Sequence, residues 1–272
     1  MWYHPAMRLL VLAALLAAVA TPASAADPLA EARRLYNLGE YAAAEPLARE
    51  ALAVPATADT ARVVLGRIQL ERYRQSADSG DLNRARASLR SVDPRVLDWR
   101  DRVELLIGLA EALYLEDRFA SAAELFESVF DRSSILGMSA HERVLDWWAT
   151  ALDRQAQRLP LAERAPLYAR IKARMRTEIL AVPGSAAAGY WLAASARASG
   201  DPHGAWHQAI AGWLRAALAD DSGAALRADL DRLVRQAIIP ERAARLSPNG
   251  DVKLAETSMR KEWEAFKGAW SK

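Results

Sequence analysis

Residues 38–55, which read LGEYAAAEPLAREALAVP, carry the pattern on which the fold prediction depends. Apolar residues in this stretch recur every three or four positions, which places them on one face of a helix. Gly39 is typical of the end of a preceding helix, and Pro55 is typical of the end of this one. Ala44 and Ala48 lie on the apolar face, where small side chains let a second helix approach closely. The stretch therefore predicts a helix that packs against the helix before it.

The same pattern recurs further along the chain. Its clearest second copy contains the residues Leu109, Ala110, Leu113, Phe119, Ala122, Phe126, Val129 and Phe130. Weaker copies run from Leu65 to Leu89 and from Leu192 to Ala209. In the two clear copies an aromatic residue, Tyr41 or Phe119, is expected to fill the gap at the turn between the helices. Helix pairs that recur in this way each leave one face to be buried by a neighbouring pair, so the sequence predicts a stack.

Helix-type spacing continues through nearly all of the chain after residue 26, and strand-type alternation is absent from the sequence. Groups of glycine, proline and polar residues are expected to divide it into about a dozen helices of ordinary length. Breaks are expected, among other places, at residues 76–80 and at Pro240. Two longer helices that lack the small residues are expected between His141 and Val182. The whole chain is predicted to be all-α.

The repeated pattern resembles the tetratricopeptide repeat, a helix–turn–helix unit of about 34 residues. The resemblance covers residues 28–131 and, with fewer matching positions, residues 186–215. It implies a solenoid of antiparallel helix pairs wound as a right-handed superhelix, with extra helices at the C-terminus. Because Gly39 and Gly80 are separated by more than one repeat length, we expect an insertion in the second pair, most simply at residues 76–80 and the residues that flank them. The predicted organisation is a signal peptide at residues 1–25, repeats at 26–138, degenerate helix pairs at 139–222 and a helical cap and tail at 223–272.

The N-terminal residues have the composition of an export signal. Arg8 precedes an apolar run from Leu9 to Ala20, and the small residues Ala23-Ser24-Ala25 follow it. Cleavage after Ala25 is predicted, so the mature protein would be periplasmic or secreted. The run is shorter than the ~20 apolar residues of a membrane-spanning helix, although an uncleaved anchor or a buried helix remains the alternative. The chain has no cysteine, which excludes a disulfide scaffold, a thiolate nucleophile and a lipoprotein anchor.

The charge pattern argues against nucleic-acid binding. The chain has 36 basic and 34 acidic residues, with a net charge of +2, and arginines alternate with acidic residues almost throughout. Binding to nucleic acid normally requires a basic stripe that neutralises successive phosphates. The pattern is instead typical of solvated helix surfaces.

Motifs for catalysis or metal binding are incomplete in this sequence. His141-Glu142 begins like a zinc-protease helix, but Leu145 occupies the position of the second ligand. His203 and His207 are four residues apart, which is compatible with a metal on one helix face, yet a third ligand is missing nearby. Ser258 and Lys261 match a Ser-x-x-Lys spacing without the elements that accompany it in penicillin-recognising enzymes. We therefore predict a protein that is not an enzyme, with no cofactor and no metal site.

The resemblance also implies where a partner would bind. In tetratricopeptide relatives the first helix of each pair lines a concave groove that holds extended peptides or helices. Adjacent tryptophans on a helix point about 100° apart, so one of Trp147 and Trp148 is a candidate surface anchor. Most of the other tryptophans of the second half are expected to pack between large helices, with a groove for a peptide or a glycan as the alternative. The candidate protein-binding residues are Arg33, Tyr36, Asn37, Arg67, Glu71, Glu111, Tyr114, Trp147 and Trp148.

For each of these candidates, a solvated helix face is the alternative. The functional prediction is a non-enzymatic scaffold of the bacterial cell envelope that binds a protein or peptide. One alternative is an envelope enzyme acting on peptidoglycan, which would require a catalytic lobe carrying a placed glutamate. The other is an accessory factor in secretion or outer-membrane assembly.

Overall fold

The computed structural model describes residues 27–219, 221–248 and 250–270, and over these residues it is all-helical, with no strand. The predicted signal peptide lies outside the described residues. The first half contains α1 (Pro28–Asn37), α2 (Tyr41–Ala51), α3 (Ala58–Ser76), α4 (Ser79–Arg90), α5 (Trp99–Leu115), α6 (Phe119–Glu127) and α7 (Phe130–Ser133). The second half contains α8 (Met138–Gln157), α9 (Leu161–Ala181), α10 (Ala186–Ala198), α11 (Pro202–Arg215), α12 (Ala224–Leu233), α13 (Ile239–Leu246) and α14 (Val252–Trp270).

Short polar residues and glycines fix where these helices begin and end. Asp27, Asp98 and Asp201 each precede a helix and accept a hydrogen bond from a backbone N–H of its first turn. Such caps satisfy donors that have no partner inside the helix. At the end of α1 the chain turns through Gly39, whose φ of +78° is in the region that glycine adopts at no steric cost.

Consecutive helices pack as pairs, and the first helices of successive pairs also contact one another. The pairs are α1 with α2, α3 with α4, α5 with α6, α8 with α9, and α10 with α11. Contacts between first helices run from α1 to α3, α5, α8 and α10, and then to α12. The chain therefore presents one surface formed by a row of first helices, which we call the inner surface.

Small residues allow the close approach of the paired helices. The prediction that Ala44 and Ala122 are buried is confirmed, since neither has any exposed surface. At the crossing of α3 and α4, the side chain of Leu89 lies in a notch formed by Gly66 of α3 and Gly108 of α5. A Cβ added at Gly66 would lie 2.7 Å from Leu89 Cγ, and one at Gly108 would lie 3.2 Å from Leu89 Cδ2. A larger residue at Gly66 would push Leu89 out of this notch.

Aromatic residues connect the helices of a pair at the turns. The rings of Tyr36 and Tyr41 are 5.5 Å apart between α1 and α2, and those of Tyr114 and Phe119 are 5.2 Å apart between α5 and α6. Both contacts join residues five positions apart across a turn. The equivalent geometry agrees with the internal repetition that was predicted for these two stretches.

Large aromatic side chains pack in the core of the second half, as expected, but they do so together with buried alanines such as Ala205 and Ala209 of α11. Trp206, Trp213 and Trp263 are buried, with ring centroids 5.6 Å and 5.4 Å from Trp263 to the other two. Phe266 stacks on Trp263 from the same helix, α14. These contacts attach the C-terminal helix to α11, and Trp263 Nε1 also donates a hydrogen bond to Asp231 of α12.

The expected break at residues 76–80 is confirmed, but the break at Pro240 and the insertion at residues 76–80 are wrong. Pro240 does not end a helix: a π-helical segment, Val234–Ile238, joins α12 to α13 without interruption. A proline ring would clash with the carbonyl four residues earlier, and this wider turn lies at that position. Residues 76–80 do not hold an insertion, because α3 ends at Ser76 and α4 begins at Ser79. The extra length lies instead in α3, which has 19 residues, and in the loop before it.

The region between His141 and Val182 contains two long helices, as predicted. These are α8, with 20 residues, and α9, with 21. In the part of the chain that the structure covers, every helix is too short or too polar to cross a lipid bilayer.

Candidate functional site

An open cleft with a volume of about 450 Å³ lies on the inner surface. Its walls come from the C-terminal end of α3 and from α8, α10 and α12. We call it the inner cleft, and its lining residues are Arg74, Glu142, Arg143, Asp146, Trp147, Ala186, Ala187, Tyr190, Ala225, Leu226 and Asp229. Because four helices from different parts of the sequence contribute, the cleft exists only in the folded chain.

Trp147 lines this cleft and is held in place by its neighbours. The Arg74 guanidinium lies 4.8 Å from the Trp147 ring centroid and donates a 2.8 Å hydrogen bond to Glu71. On the other side, the ring packs edge-on against Tyr114, with centroids 4.8 Å apart. An arginine over an indole face is attracted by the ring quadrupole. The half-buried indole is therefore fixed in orientation while part of it faces the cleft.

Three carboxylates line the side of the cleft formed by α8 and α12. Glu142 accepts a 2.9 Å hydrogen bond from the backbone N–H of Ala187, in the first turn of α10. Asp146 accepts a 2.8 Å hydrogen bond from Trp191 Nε1. Asp229 lies across from them on α12, with its closest guanidinium, that of Arg232, 3.4 Å away.

These acidic groups affect one another. Loss of hydration is the main reason why the pKa of Asp146 is raised, and the charge of Asp229 raises it further, whereas the hydrogen bond from Trp191 and the charge of Arg74 lower it. Burial also raises the pKa of the Tyr190 hydroxyl, with additional contributions from Asp229 and Asp146. Negative charge in this part of the cleft is therefore only partly compensated.

A second group of charged residues lies between α1, α3 and α5. The Arg67 guanidinium stacks over Tyr36 at 4.7 Å, and its Nη1 lies 4.0 Å from Glu104. Arg33 forms an ion pair with Asp101 and lies 3.8 Å from Glu104. A cavity of about 10 Å³ remains beside Arg33, Tyr36 and Arg67, which is room for at most one water molecule. This group links α1, α3 and α5, which are the first helices of their pairs, and it leaves no space for a ligand side chain.

Glu111 of α5 is a buried carboxylate on which the charges of Arg67 in that group and of Arg74 and Arg143 in the inner cleft act. It is 6% exposed, and among the described residues no hydrogen bond or close ion pair reaches its carboxylate. Burial raises its pKa, while the positive charges of Arg67, Arg74 and Arg143 act in the opposite direction. A buried carboxylate without a direct partner is costly, so this residue is a candidate for contact with a bound group.

The structure separates the predicted site residues into three sets. Trp147 lines the inner cleft, Glu71 and Tyr114 contact the lining residues Arg74 and Trp147, and Glu111 is near enough to Arg74 and Arg143 for their charges to act on it. Arg33, Tyr36, Asn37 and Arg67 are located around the narrow cavity, where Asn37 alone is exposed. Trp148 does not line a groove: it is fully buried against Phe130, because the 100° step along α8 turns it into the core.

Trp147 is the one lining residue that was predicted, and the polar and aromatic lining residues that were not predicted are Arg74, Glu142, Arg143, Asp146, Tyr190 and Asp229. A signal for Arg74 was present, because it follows Arg67 by seven residues and Glu71 by three, which places all three on one helix face. For Tyr190 and Asp229 the sequence gives no comparable signal. They come from helices where the repeat pattern is weak or absent.

The histidine of the incomplete zinc motif belongs to a buried polar array. His141 Nδ1 lies 2.6 Å from Ser133 Oγ, and its Nε2 lies 3.1 Å from Glu178. All three residues are buried, with Ser133 fully enclosed. The hydrogen bond with His141 is the main reason why the pKa of Glu178 is lowered. The residue types match a nucleophilic triad, but a serine without solvent access cannot contact a substrate. Because the three residues lie on α7, α8 and α9, we interpret the array as a structural link between these helices.

The other two motifs lie on the surface. His203 and His207 place their Nε2 atoms 3.2 Å apart on an exposed face of α11. Within residues 27–219, 221–248 and 250–270, no group of three potential ligand side chains surrounds a common point. Ser258 and Lys261 are both exposed on α14.

Comparison with known proteins gives no family. No protein-family model matches the chain. Neither the curated proteins nor the solved structures give a significant match. The geometry of the inner cleft is therefore the starting point for a functional hypothesis.

Proposed function

We propose that this protein is a non-enzymatic scaffold of the bacterial cell envelope that binds a protein partner in its inner cleft. In this proposal, the row of paired helices is a degenerate tetratricopeptide-like solenoid, and the cleft is part of its concave face. The periplasmic or secreted location depends on the predicted signal peptide.

The observation that carries the proposal is the fixed, half-buried Trp147 in an open cleft. Residues that dominate the affinity of protein interfaces are enriched in tryptophan, tyrosine and arginine and lie in well-packed positions. Here Trp147, Arg74 and Tyr190 line the same cleft, and the first two are already held by contacts within the chain. Holding these side chains in place before binding lowers the entropy cost of association.

The distribution of polar groups supports a binding role over catalysis. Ser133, His141 and Glu178 have the residue types of a nucleophilic triad, but they are enclosed by the core. The accessible carboxylates Glu142 and Asp146 accept hydrogen bonds from the first turn of α10 and from an indole, which are contacts that fix the cleft walls.

A blocking substitution tests the proposal. Ala225 is exposed and lines the cleft, whereas Ala173 is exposed on α9, which is the second helix of its pair. We expect the wild-type chain and Ala173→Trp to capture the same partner from envelope extracts of the native organism, and Ala225→Trp to lose it. The affinity of the purified partner for the three proteins then gives the size of the effect. Equal binding by all three, or turnover of peptidoglycan by the purified chain, would contradict the proposal.

A further inference from the structure

We propose that His203 and His207 chelate a divalent transition-metal ion, Cu²⁺ or Ni²⁺, on the exposed face of α11. The inference is independent of the proposed function, because neither histidine lines the inner cleft. It departs from the expectation that the chain has no metal site, which rested on the missing third ligand.

The packing of α11 holds both histidines toward solvent. They are four residues apart, and residues at this spacing lie on the same face of a helix, one turn apart. Asp201 caps the first turn by accepting a hydrogen bond from the backbone N–H of Gly204. The buried residues of the helix, among them Ala209 and Trp213, lie on its other side and fix its rotation. The two imidazoles are therefore exposed on a helix whose orientation the core determines.

The two ring nitrogens have the separation that a shared metal ion requires. Nε2 of His203 lies 3.2 Å from Nε2 of His207, whereas the ring centroids are 4.6 Å apart, so the Nε2 edges of the rings converge. A divalent metal such as zinc lies about 2.0–2.1 Å from an imidazole nitrogen. Two such bonds to nitrogens 3.2 Å apart enclose an angle of roughly 100–106°. This angle lies between the ~90° of a square-planar site and the ~109° of a tetrahedral one.

Both nitrogens can act as ligands without a change in the charge of either ring. At 3.2 Å the two nitrogens form a hydrogen bond when one ring carries its proton on Nε2. When the metal binds, that proton moves to Nδ1 of the same ring, so both Nε2 lone pairs point to the ion. Because both residues are exposed, water can accept the hydrogen bonds from the two Nδ1–H groups.

The ligand set determines which ions fit. Imidazole suits copper, nickel and zinc, whereas Mg²⁺ and Ca²⁺ prefer oxygen ligands. Over the part of the chain that the structure describes, no third histidine, aspartate or glutamate joins the pair. Cu²⁺ and Ni²⁺ accept planar sites of mixed nitrogen and oxygen ligands, so water molecules can fill the remaining positions. Of these ions Cu²⁺ should bind most tightly, since the affinity of a given site is highest for Cu²⁺.

Two arginines of α13 approach α11, and both are engaged by other groups. Arg245 donates a 2.7 Å hydrogen bond to the carbonyl of Gly200. The Arg242 guanidinium lies 4.8 Å from the ring centroid of Trp206, which is on the buried side of α11. Coordination by neutral imidazole depends on the position of the lone pairs, so the site does not require an acidic surface around it.

Calorimetric titration of the chain with Ni²⁺ and Cu²⁺ tests the proposal. The protein carries no affinity tag, because a polyhistidine tag would bind the same ions. His203→Gln and His207→Gln each remove one ligand. The matched control combines His207→Gln with Gln208→His, which keeps two histidines on α11 but sets them about 140° apart around the helix.

We expect the wild-type chain to bind one ion and all three variants to bind at least about tenfold more weakly, because a second ligand on the same helix strengthens the binding of the first. The buried His141 is hydrogen-bonded to Ser133 and Glu178 and should contribute nothing. Mg²⁺ should give no saturable heat with any of the four proteins.

Thermal unfolding supplies a second readout, with circular dichroism to show that the variants keep their helix content. Ni²⁺ should raise the Tm of the wild-type chain and leave that of the spacing control unchanged, because an ion bound only by the folded helix stabilises it. The proposal is overturned if the spacing control or both single variants bind Ni²⁺ as tightly as the wild type. It is also overturned if the wild type shows no saturable binding up to ~1 mM Ni²⁺, a concentration that reveals even weak sites.

Discussion

A methyl group added at Gly66 tests whether small residues at helix crossings hold this fold together. In the described structure, a Cβ at this position would lie 2.7 Å from Leu89 Cγ and 2.8 Å from Leu89 Cδ2. Gly268, which is exposed near the end of α14, provides the matched control, because a Cβ there would meet no atom within 4 Å. Both Gly→Ala changes replace a helical glycine by the best helix former.

The two changes share one contribution and differ in the other. Glycine in a helix costs up to about 1 kcal/mol relative to alanine, so Gly268→Ala should raise the free energy of unfolding by up to that amount. Carbon atoms pack best about 3.5–4.0 Å apart, and the new methyl at Gly66 would be about 1 Å too close to Leu89. Overpacking of this kind costs about 1–3 kcal/mol. Gly66→Ala should therefore be less stable than Gly268→Ala by about 1–3 kcal/mol.

Thermal and denaturant unfolding of the mature chain, followed by circular dichroism, measures this difference. For a chain of this size, each kcal/mol corresponds to about 2–4 °C in Tm. A double-mutant cycle identifies the cause: in a Leu89→Ala background the clash partner is removed, so Gly66→Ala should no longer destabilise relative to Gly268→Ala. If both alanine variants were stabilised equally in the wild-type background, the packing argument would be refuted.

Three further predictions concern other parts of the fold. Ala122→Leu should destabilise the chain by about 1–3 kcal/mol in urea unfolding, because the residue is fully buried between α5 and α6; the exposed Ala120→Leu should change stability by less than about 0.5 kcal/mol. Trp148→Ala should cost about 3–5 kcal/mol by the same assay, since it empties a buried site, and a smaller loss would mean that the core collapses around it. The pKa of Glu178 is lowered in the folded chain, chiefly by its hydrogen bond with His141. Its contribution to the free energy of unfolding is therefore complete above the ordinary glutamate pKa of ~4.3 and is lost as the pH falls through the folded pKa. Glu178→Gln should reduce stability at pH 7 by about 1–3 kcal/mol and flatten the acid side of the stability–pH curve, and an unchanged acid slope would contradict this.

The local features of the fold could be predicted from the sequence. Ala44 and Ala122 are small residues at helical spacing from other apolar residues. This pattern is local, so it predicts both the helices that contain them and the faces that these helices bury. Pro240 could not be treated in the same way. A π-helical turn accommodates the Pro240 ring without ending the helix, although the local sequence predicts a helix end at this position. The extra length of α3 was likewise hidden, since the repeat spacing counts residues but does not say which element holds them.

The candidate site was only partly predictable, because its contacts join distant parts of the chain. The predicted row of first helices placed Glu71, Tyr114 and Trp147 on one surface. The structure adds Arg74, whose guanidinium lies over the Trp147 indole. The cleft wall from α12 comes from a segment without a recognisable repeat, so Asp229 had no positional guide. Burial also separated neighbours that the sequence treats alike: Trp147 faces the cleft and Trp148 faces the core.

The most direct measurement of the central claim is photo-cross-linking in cells that express the protein. The photoreactive amino acid benzoylphenylalanine replaces Arg143 at the rim of the inner cleft or, as the control, Arg176 on α9; both arginines are exposed. The account predicts that the cleft position gives one dominant cross-linked protein and that the control position does not. Cross-linking to the same proteins from both positions, or none from the cleft, would contradict the account.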